Sequence, residues 1–443
     1  MQLNKNKMAP KRKKGKLCAT LGLMTATLFA ASDLDAQEKP DAASSYFGDK
    51  PVNTTGGVHL DQSVLYYQES GGRIRVIEPA AELKFNNDRG DIFTFGLISD
   101  SITGASPVGA VALKRPQILA QDSSTGASGV SAAGEYPLIF FNDQREVLDI
   151  ACSRLISKNT HLNLAGSISK ERDYLSLTGS LGLAKDLNEK NTSLSIGVNY
   201  EADFSAPHFG APTPLTVILA IPSHGNRRKG VVGVILGVTQ VMNRHWVAQL
   251  NYSYGYSKGY QTDPYRIISV IDPSTAVNPA VSYLYESRPE KRIRQSVYIG
   301  NKIAIGHTVT DISGRFYHDS WGITSKTVEA SERVPLNSWI YIEPHARFYS
   351  QTKANFFYDY LIMGQALPDY ASSDSRLGKF TATTLGVKIG FKMWETGELY
   401  MRAESYQQHG DSQPANVIPA VAGENLFTGV KVVSAIIGLG FDF

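Results

Sequence analysis

Cysteine is nearly absent. The 443 residues hold two, Cys18 and Cys152, too few for a disulfide framework or a thiolate metal site. Long hydrophobic runs are scarce as well. After the first 36 residues, no stretch approaches the roughly twenty apolar residues of a spanning helix. There is no solenoid-length repeat and no heptad pattern. The histidines are scattered, with no His-x-x-x-His or Glu-x-x-His pair, and Gly104-Ala105-Ser106-Pro107 lacks the strand–turn–helix setting of a nucleophile elbow. These absences lead us to expect no catalytic residue, no metal site and no cofactor. Glu343 and His345 share a strand face, where a structural hydrogen bond outweighs a metal or proton-relay role.

The N-terminus is the exception to the scarcity of apolar runs. Lys5, Lys7, Lys11, Arg12, Lys13, Lys14 and Lys16 precede an apolar stretch from Leu17 to Ala31, and Leu34-Asp35-Ala36 is a plausible cleavage site. Residues 1–36 read as a signal peptide, and the polar, small residues 37–56 as a flexible periplasmic leader. The export segment carries seven basic and two acidic side chains, so the formal charge of +3 becomes −2 in the mature chain. The basic balance therefore does not point to nucleic acid.

What remains alternates. Candidate strands with period-two hydrophobicity lie near 59–70, 72–86, 90–102, 144–157, 160–171, 173–186, 191–203, 229–241, 244–257, 290–305, 307–319, 322–334, 337–350, 379–393, 396–408 and 427–443. They are long enough to cross a bilayer at a tilt. Long connections fall at 103–143, 204–228, 258–289, 351–378 and 409–426, each after an odd-numbered strand, and the connections after even strands are short. Short periplasmic turns and long external loops are the pattern of outer-membrane barrels. The expected fold is all-β: residues 57–443 as a transmembrane, antiparallel, up-and-down barrel of about sixteen strands in the bacterial outer membrane.

The ends and faces of the strands give expected roles. Phe443 and Phe441 close the chain on an alternating strand, as a lipid-facing terminal signature at the periplasmic rim that pairs with the strand near 59–70. Trp246, Tyr252 and Tyr254 share a lipid-facing row in the ninth strand. Arg or Lys facing mid-membrane lipid costs about 2–4 kcal/mol, so Arg292, Arg294, Glu343, His345, Lys388, Lys392, Arg402 and Glu404 are placed on the lumen. They read either as a solute-selecting wall or as salt-bridged filling. The expected partners are outer-membrane lipids and the barrel-insertion machinery.

Four blocks carry a family likeness. Asp100-Ser101-Ile102-Thr103-Gly104-Ala105-Ser106-Pro107, Gly259-Tyr260-Gln261-Thr262-Asp263-Pro264-Tyr265, Tyr317-His318-Asp319-Ser320-Trp321-Gly322-Ile323 and Arg347-Phe348-Tyr349-Ser350-Gln351 together resemble a bacterial family known as domain of unknown function 3570. The resemblance implies an exported outer-membrane barrel with no established activity. It also implies a small lipoprotein or a periplasmic redox protein as a partner. On the strand map the blocks gather at the external strand ends. Asp100, Asp263, Arg315, Tyr317, Asp319, Trp321 and Arg347 are therefore expected to form one polar network at the mouth, binding a solute or cation or pinning an inward-folded loop. The leading functional expectation is a porin-like channel for a small solute or ion. The alternative is a non-conducting outer-membrane anchor or scaffold for periplasmic or surface partners.

Overall fold

The computed structural model describes residues 57–443 except 115–116, 120–128, 208–209, 219–224, 276–278 and 394–395. The expected signal peptide and leader lie outside the described residues. The barrel strands are β1 (Val58–Glu69), β2 (Arg75–Asn86), β3 (Ile92–Pro107), β4 (Leu138–Ser157), β5 (Thr160–Lys170), β6 (Tyr174–Leu187), β7 (Thr192–Ser205) and β8 (Arg227–Asn243). They continue as β9 (Trp246–Gly259), β10 (Lys291–Ile305), β11 (Thr308–Asp319), β12 (Thr324–Pro335), β13 (Ile340–Gln351), β14 (Phe380–Met393), β15 (Gly397–Gly410) and β16 (Lys431–Asp442). Each is antiparallel to its sequence neighbours, and β16 returns to β1 with His59 opposite Asp442 and Glu69 opposite Val432. The result is a closed sixteen-stranded barrel.

The alternation sorts side chains as the period-two pattern requires. Val64, Leu83, Leu97, Ile150, Leu181 and Leu385 face outward and are exposed, Leu385 at 60% and Leu97 at 59%. A continuous belt of bare apolar side chains around the whole wall exceeds any patch on a soluble monomer. It demands lipid. No helix among the described residues is long and apolar enough to cross a membrane, so the crossing is by strands. A closed, even-numbered antiparallel barrel with such a belt is of the outer-membrane type, and the chain resides in that membrane. Tyr252 and Tyr254 lie on the outer face of β9, and Trp246 lies at its periplasmic start with its indole donating to Asn301 at 3.0 Å. Phe443 is 76% exposed, and its backbone pairs with Val58 in both directions.

Two boundaries differ from the sequence expectation. The ladder between β3 and β4 continues from Thr103↔Asn142 to Pro107↔Leu138, so the long loop is 108–137 and not 103–143. Asn142, Gln144 and Glu146 face outward there. Above the bilayer the outer face no longer needs apolar residues, and the hydrophobic signal fades before the strand ends. The last strand starts at Lys431 rather than at 427, because Phe427 turns in to pack on Phe380, ring centres 6.4 Å apart.

Inside the wall, glycines act as windows over which long side chains cross a whole strand. Tyr341 on β13 lies over Gly390 of β14 and donates to Glu398 of β15 at 2.6 Å. Tyr400 on β15 lies over Gly438 of β16 and donates to Asp61 of β1 at 3.0 Å, bridging the closure seam. A Cβ at either glycine would overlap the tyrosine ring. Gly390→Ala and Gly438→Ala should each destabilise the barrel by about 1–3 kcal/mol through overpacking. Gly314→Ala, whose nearest neighbour would be 3.8 Å away, should be neutral. The temperature at which each variant loses its folded gel mobility is the measurement.

Candidate functional site

The five long connections, after β3, β7, β9, β13 and β15, lie at the external end and do not stand apart. They carry a small sheet in which 267–271 pairs with 280–285 and with 361–362. Apolar clusters hold it from below and above. Val108, Ala110 and Ile139 pack with Ile267 and Tyr285, and Val111, Leu113 and Ile271 pack with Ala420 and Val421. Hydrogen bonds tie the rest together. Leu215 donates to the Tyr285 carbonyl, Ser287 and Ala371 exchange backbone bonds, and Ile418 donates to the Tyr360 hydroxyl.

The short external turns join as well. Arg73 donates to the carbonyls of Thr428 and Gly429, Tyr265 donates to Asp173 at 2.5 Å, and Asn355 donates to the Trp321 carbonyl. Every external connection is thus bonded into one cap, with the loop 260–290 as its hub.

The cap is locked by buried charge. Asp374 is 1% exposed at its side chain and accepts from Arg288 at 2.8 Å and from Arg376 at 2.6 Å, with Arg266 at 3.8 Å. Glu286, wholly buried, pairs with Arg288 at 2.6 Å and accepts from the Ser372 hydroxyl and the Asp263 backbone N–H. Asp263 pairs with Arg266 and Arg376, both at 3.3 Å. Arg266 also reaches down to the Pro107 carbonyl and the Ser106 hydroxyl at the top of β3. Burial opposes ionisation of Asp374, but the guanidinium groups of Arg376, Arg266 and Arg288 outweigh it and hold the carboxyl well below its usual range. For Glu286 burial wins: its carboxyl is pushed up, with Arg288 opposing and Asp263 and Asp374 adding to the rise.

The seven residues expected to form one mouth network fall into separate groups. Tyr317, Asp319 and Trp321 do come together. Asp319 accepts from Tyr317 at 2.9 Å and from the backbone of Trp321 and Ile323. Arg292, expected on the lumen wall, completes this group instead: it grips Asp319 through two nitrogens at 2.9 and 2.7 Å and lies 4.2 Å from the Trp321 ring centre. Asp263 belongs to the cap cluster described above. Asp100 lies apart on β3, paired with Arg145 of β4 at 2.5 Å, and Arg145 extends to Glu78 of β2 at 3.7 Å. Arg315 and Arg347 sit lower on the inner wall, Arg315 against the Tyr298 ring at 5.8 Å and Arg347 opposite Glu329. The single network is not formed because inner-wall register, rather than proximity to the mouth, selects the partners.

The expected lumen residues are mostly paired across β12–β15. His345 is held between Glu329 and Glu404, 2.9 Å from each, and Arg402 binds Glu404 at 2.6 Å. Glu343 pairs with Arg333 at 2.7 Å, and Lys388 lies 4.6 Å from the Tyr400 ring centre. Arg294 is buried on the inner face of β10. Lys392, opposite Glu398, is exposed on the inner parity of β14 at its periplasmic end. The opposite wall differs. From β5 to β9 most inner positions at mid-height are Ser, Thr, Ala, Gly, Asn or Gln, with Ile235 and Glu201 among them, and Ser167, Thr178, Ser195 and Ser253 are partly accessible.

With the barrel and cap in place, comparison with known proteins becomes informative. The model of a protein family of unknown function matches residues 19–438, nearly the whole chain. The chain belongs to the DUF3570 family. No curated protein matches it. Among solved structures, this family member is similar to the CymD monoaromatic hydrocarbon channel (9% identity over 88% of this chain and 89% of that one, TM-score 0.38). It is also similar to OpdQ of Pseudomonas aeruginosa (6%, 88% and 98%, TM-score 0.38). A third is a variant of the ferric enterobactin receptor PfeA of Pseudomonas aeruginosa (10%, 88% and 60%, TM-score 0.43). These likenesses are distant, and nothing those proteins carry is transferred on their strength.

Sequence reasoning found Asp263 but missed Arg266, Glu286, Arg288, Asp374 and Arg376. It also missed Asp143, Glu171 and Asp173, whose oxygens lie within 4.8 Å of one another at the rim. All stand in connections or at strand tips, where no periodicity marks them. Asp374→Asn should weaken cap closure by about 3–5 kcal/mol, because it leaves buried arginines without their carboxylate. Linkage gives the pH dependence. Asp374, depressed, contributes fully above the ordinary aspartate pKa of about 4, and its contribution is lost as pH falls through its lowered value. Glu286, raised, contributes fully below the ordinary glutamate value, and its contribution is lost as pH rises through its raised value. Amide exchange in 260–290, corrected for intrinsic rate, should be slowest in mildly acidic buffer and faster on either side. A profile flat from about pH 3 to 8 contradicts this assignment.

Proposed function

We propose that the protein is a gated outer-membrane channel for a small solute, closed externally by its loop cap. One observation carries the reading: the inner wall from β5 to β9 is lined mostly by small side chains, of which Ser167, Thr178, Ser195 and Ser253 are partly accessible. A scaffold that conducts nothing gains stability by filling its barrel with large packed residues. A wall of serines, threonines and glycines leaves room instead. The cap supports gating, since it joins all external connections yet closes through ion pairs rather than covalent links.

The same proposal treats the chain as a conduit and not a catalyst, with lipids and the insertion machinery as its general partners. The anchor reading retains one support, the continuous cap, which offers an ordered external surface. A lipoprotein or periplasmic redox partner belongs to either reading.

Planar-bilayer recording of the purified full chain tests the proposal. The wild type should show rare, discrete openings. Arg288→Ala should raise the open fraction by about tenfold or more, the shift that ~1.4 kcal/mol produces. Silence from both proteins, each with folded gel mobility, would favour the anchor.

A further inference from the structure

Two inner-wall asparagines are buried yet unsatisfied. Asn163 on β5 is 6% exposed, and neither its amide oxygen nor its amide nitrogen has a hydrogen-bond partner. Asn251 on β9 is 5% exposed, and its amide nitrogen is likewise unpartnered. Both face the lumen, alternating with the outward Leu162, Leu164, Leu250 and Tyr252. Asn199 on β7, between them, also has an amide nitrogen without a partner. Groups of this kind are rare in folded proteins and cost free energy unless something binds them.

The surroundings define the ligand. Asn199 and Asn251 flank β8, where Gly233 and Gly237 leave the wall thin enough for both amides to lie across it. Asn251 stands opposite Tyr298 of β10. That ring lies over Gly300, where an added Cβ would come within 2.8–3.1 Å of it, and Arg315 of β11 sits 5.8 Å from its centre. Ser253 and Ser296, a row above, share a 2.6 Å hydroxyl contact. In the register rows of Asn163 and Asn199 no charged side chain faces the lumen on β5–β9, and Glu201, opposite Thr178, does so one row above. On the far wall Arg333, His345 and Arg402 are already engaged by carboxylates.

Amides that donate and accept, hydroxyls and an aromatic ring suit polyhydroxylated molecules, and the amides themselves carry no charge to hold an ion. We propose that the wall formed by Asn163, Asn199, Asn251 and Tyr298 is a subsite for small neutral sugars or polyols. It deepens the channel reading by naming the solute class.

Saturation-transfer NMR on the full chain, with glucose, gluconate and glucosamine as probes, tests the subsite without requiring conductance. Transfer to glucose should exceed transfer to either charged analogue severalfold. Asn163→Leu combined with Asn251→Leu should lower the glucose signal about tenfold while leaving folded gel mobility intact, since an apolar side chain removes an unpaired buried amide. Asn251→Asp, which keeps the shape and adds a negative charge, should move the preference toward glucosamine. Equal transfer to all three probes, or an unchanged glucose signal in the double-leucine variant, overturns the subsite. Glucose uptake into proteoliposomes is the companion measurement. Binding with no uptake by wild type or Arg288→Ala would sink the channel reading and leave the subsite standing.

Discussion

Everything in this protein depends on closing a hydrogen-bonded sheet on itself in lipid. An open edge would leave a row of N–H and C=O groups in hydrocarbon, which no membrane protein tolerates. The seam between β1 and β16 is therefore the interaction on which the rest hangs. It is built from a full-length ladder, from His59↔Asp442 to Glu69↔Val432. Side chains then stitch it from within. His59 binds Asp442 at 2.7 Å, and Tyr400 reaches from β15 across Gly438 to Asp61 on β1. The same device recurs along the wall. Glu404 crosses Gly386 to His345, and Tyr341 crosses Gly390 to Glu398. At each of these points three consecutive strands become mechanically linked across a glycine of the middle one.

This logic also explains the Asp100 group. The ladder between β2 and β3 is interrupted between Ile77↔Ser101 and Ala80↔Ile98, at Pro79, which has no N–H to donate. Directly behind that gap Arg145 of β4 spans β3, binding Asp100 and reaching toward Glu78 of β2. The charges do there what backbone bonds cannot. Asp100 is thus a brace in the wall, remote from the cap cluster that holds Asp263.

The barrel was legible in the sequence because lipid punishes any break in alternation on the outer face. Leu162, Leu164 and Ile168, or Trp246, Leu250 and Tyr252, carry that signal strand by strand. It fails where lipid stops. β3 and β4 run past the bilayer with Asn142 and Glu146 facing outward, and the eye then loses the strand. Of the cap's ion pairs only Asp263 was legible. Arg288 and Asp374 meet across 86 residues, and nothing local to either announces the other. Inner-wall pairing has the same limit. The inward glycines of β16 can be counted in the sequence, but which side chain lies over Gly438 is decided by the register of β15.

The two polar systems answer different physical demands. Inner-wall pairs such as Arg402–Glu404 neutralise charges that cannot face lipid. The cap cluster did not need to be charged. Apolar clusters already join its loops, and hydrophobic replacements for buried ion pairs are often as stable or more so. What buried pairs add is geometric selectivity and a steep dependence on every partner being present. A purely apolar cap would close by degrees and slip among many packings. A cap centred on Asp374, with three arginines around one carboxylate, has one good arrangement and a sharp loss when any member leaves. On the proposed channel reading that is the property a gate needs, and the loop 260–290 is where it would act, outside the membrane that holds the wall rigid.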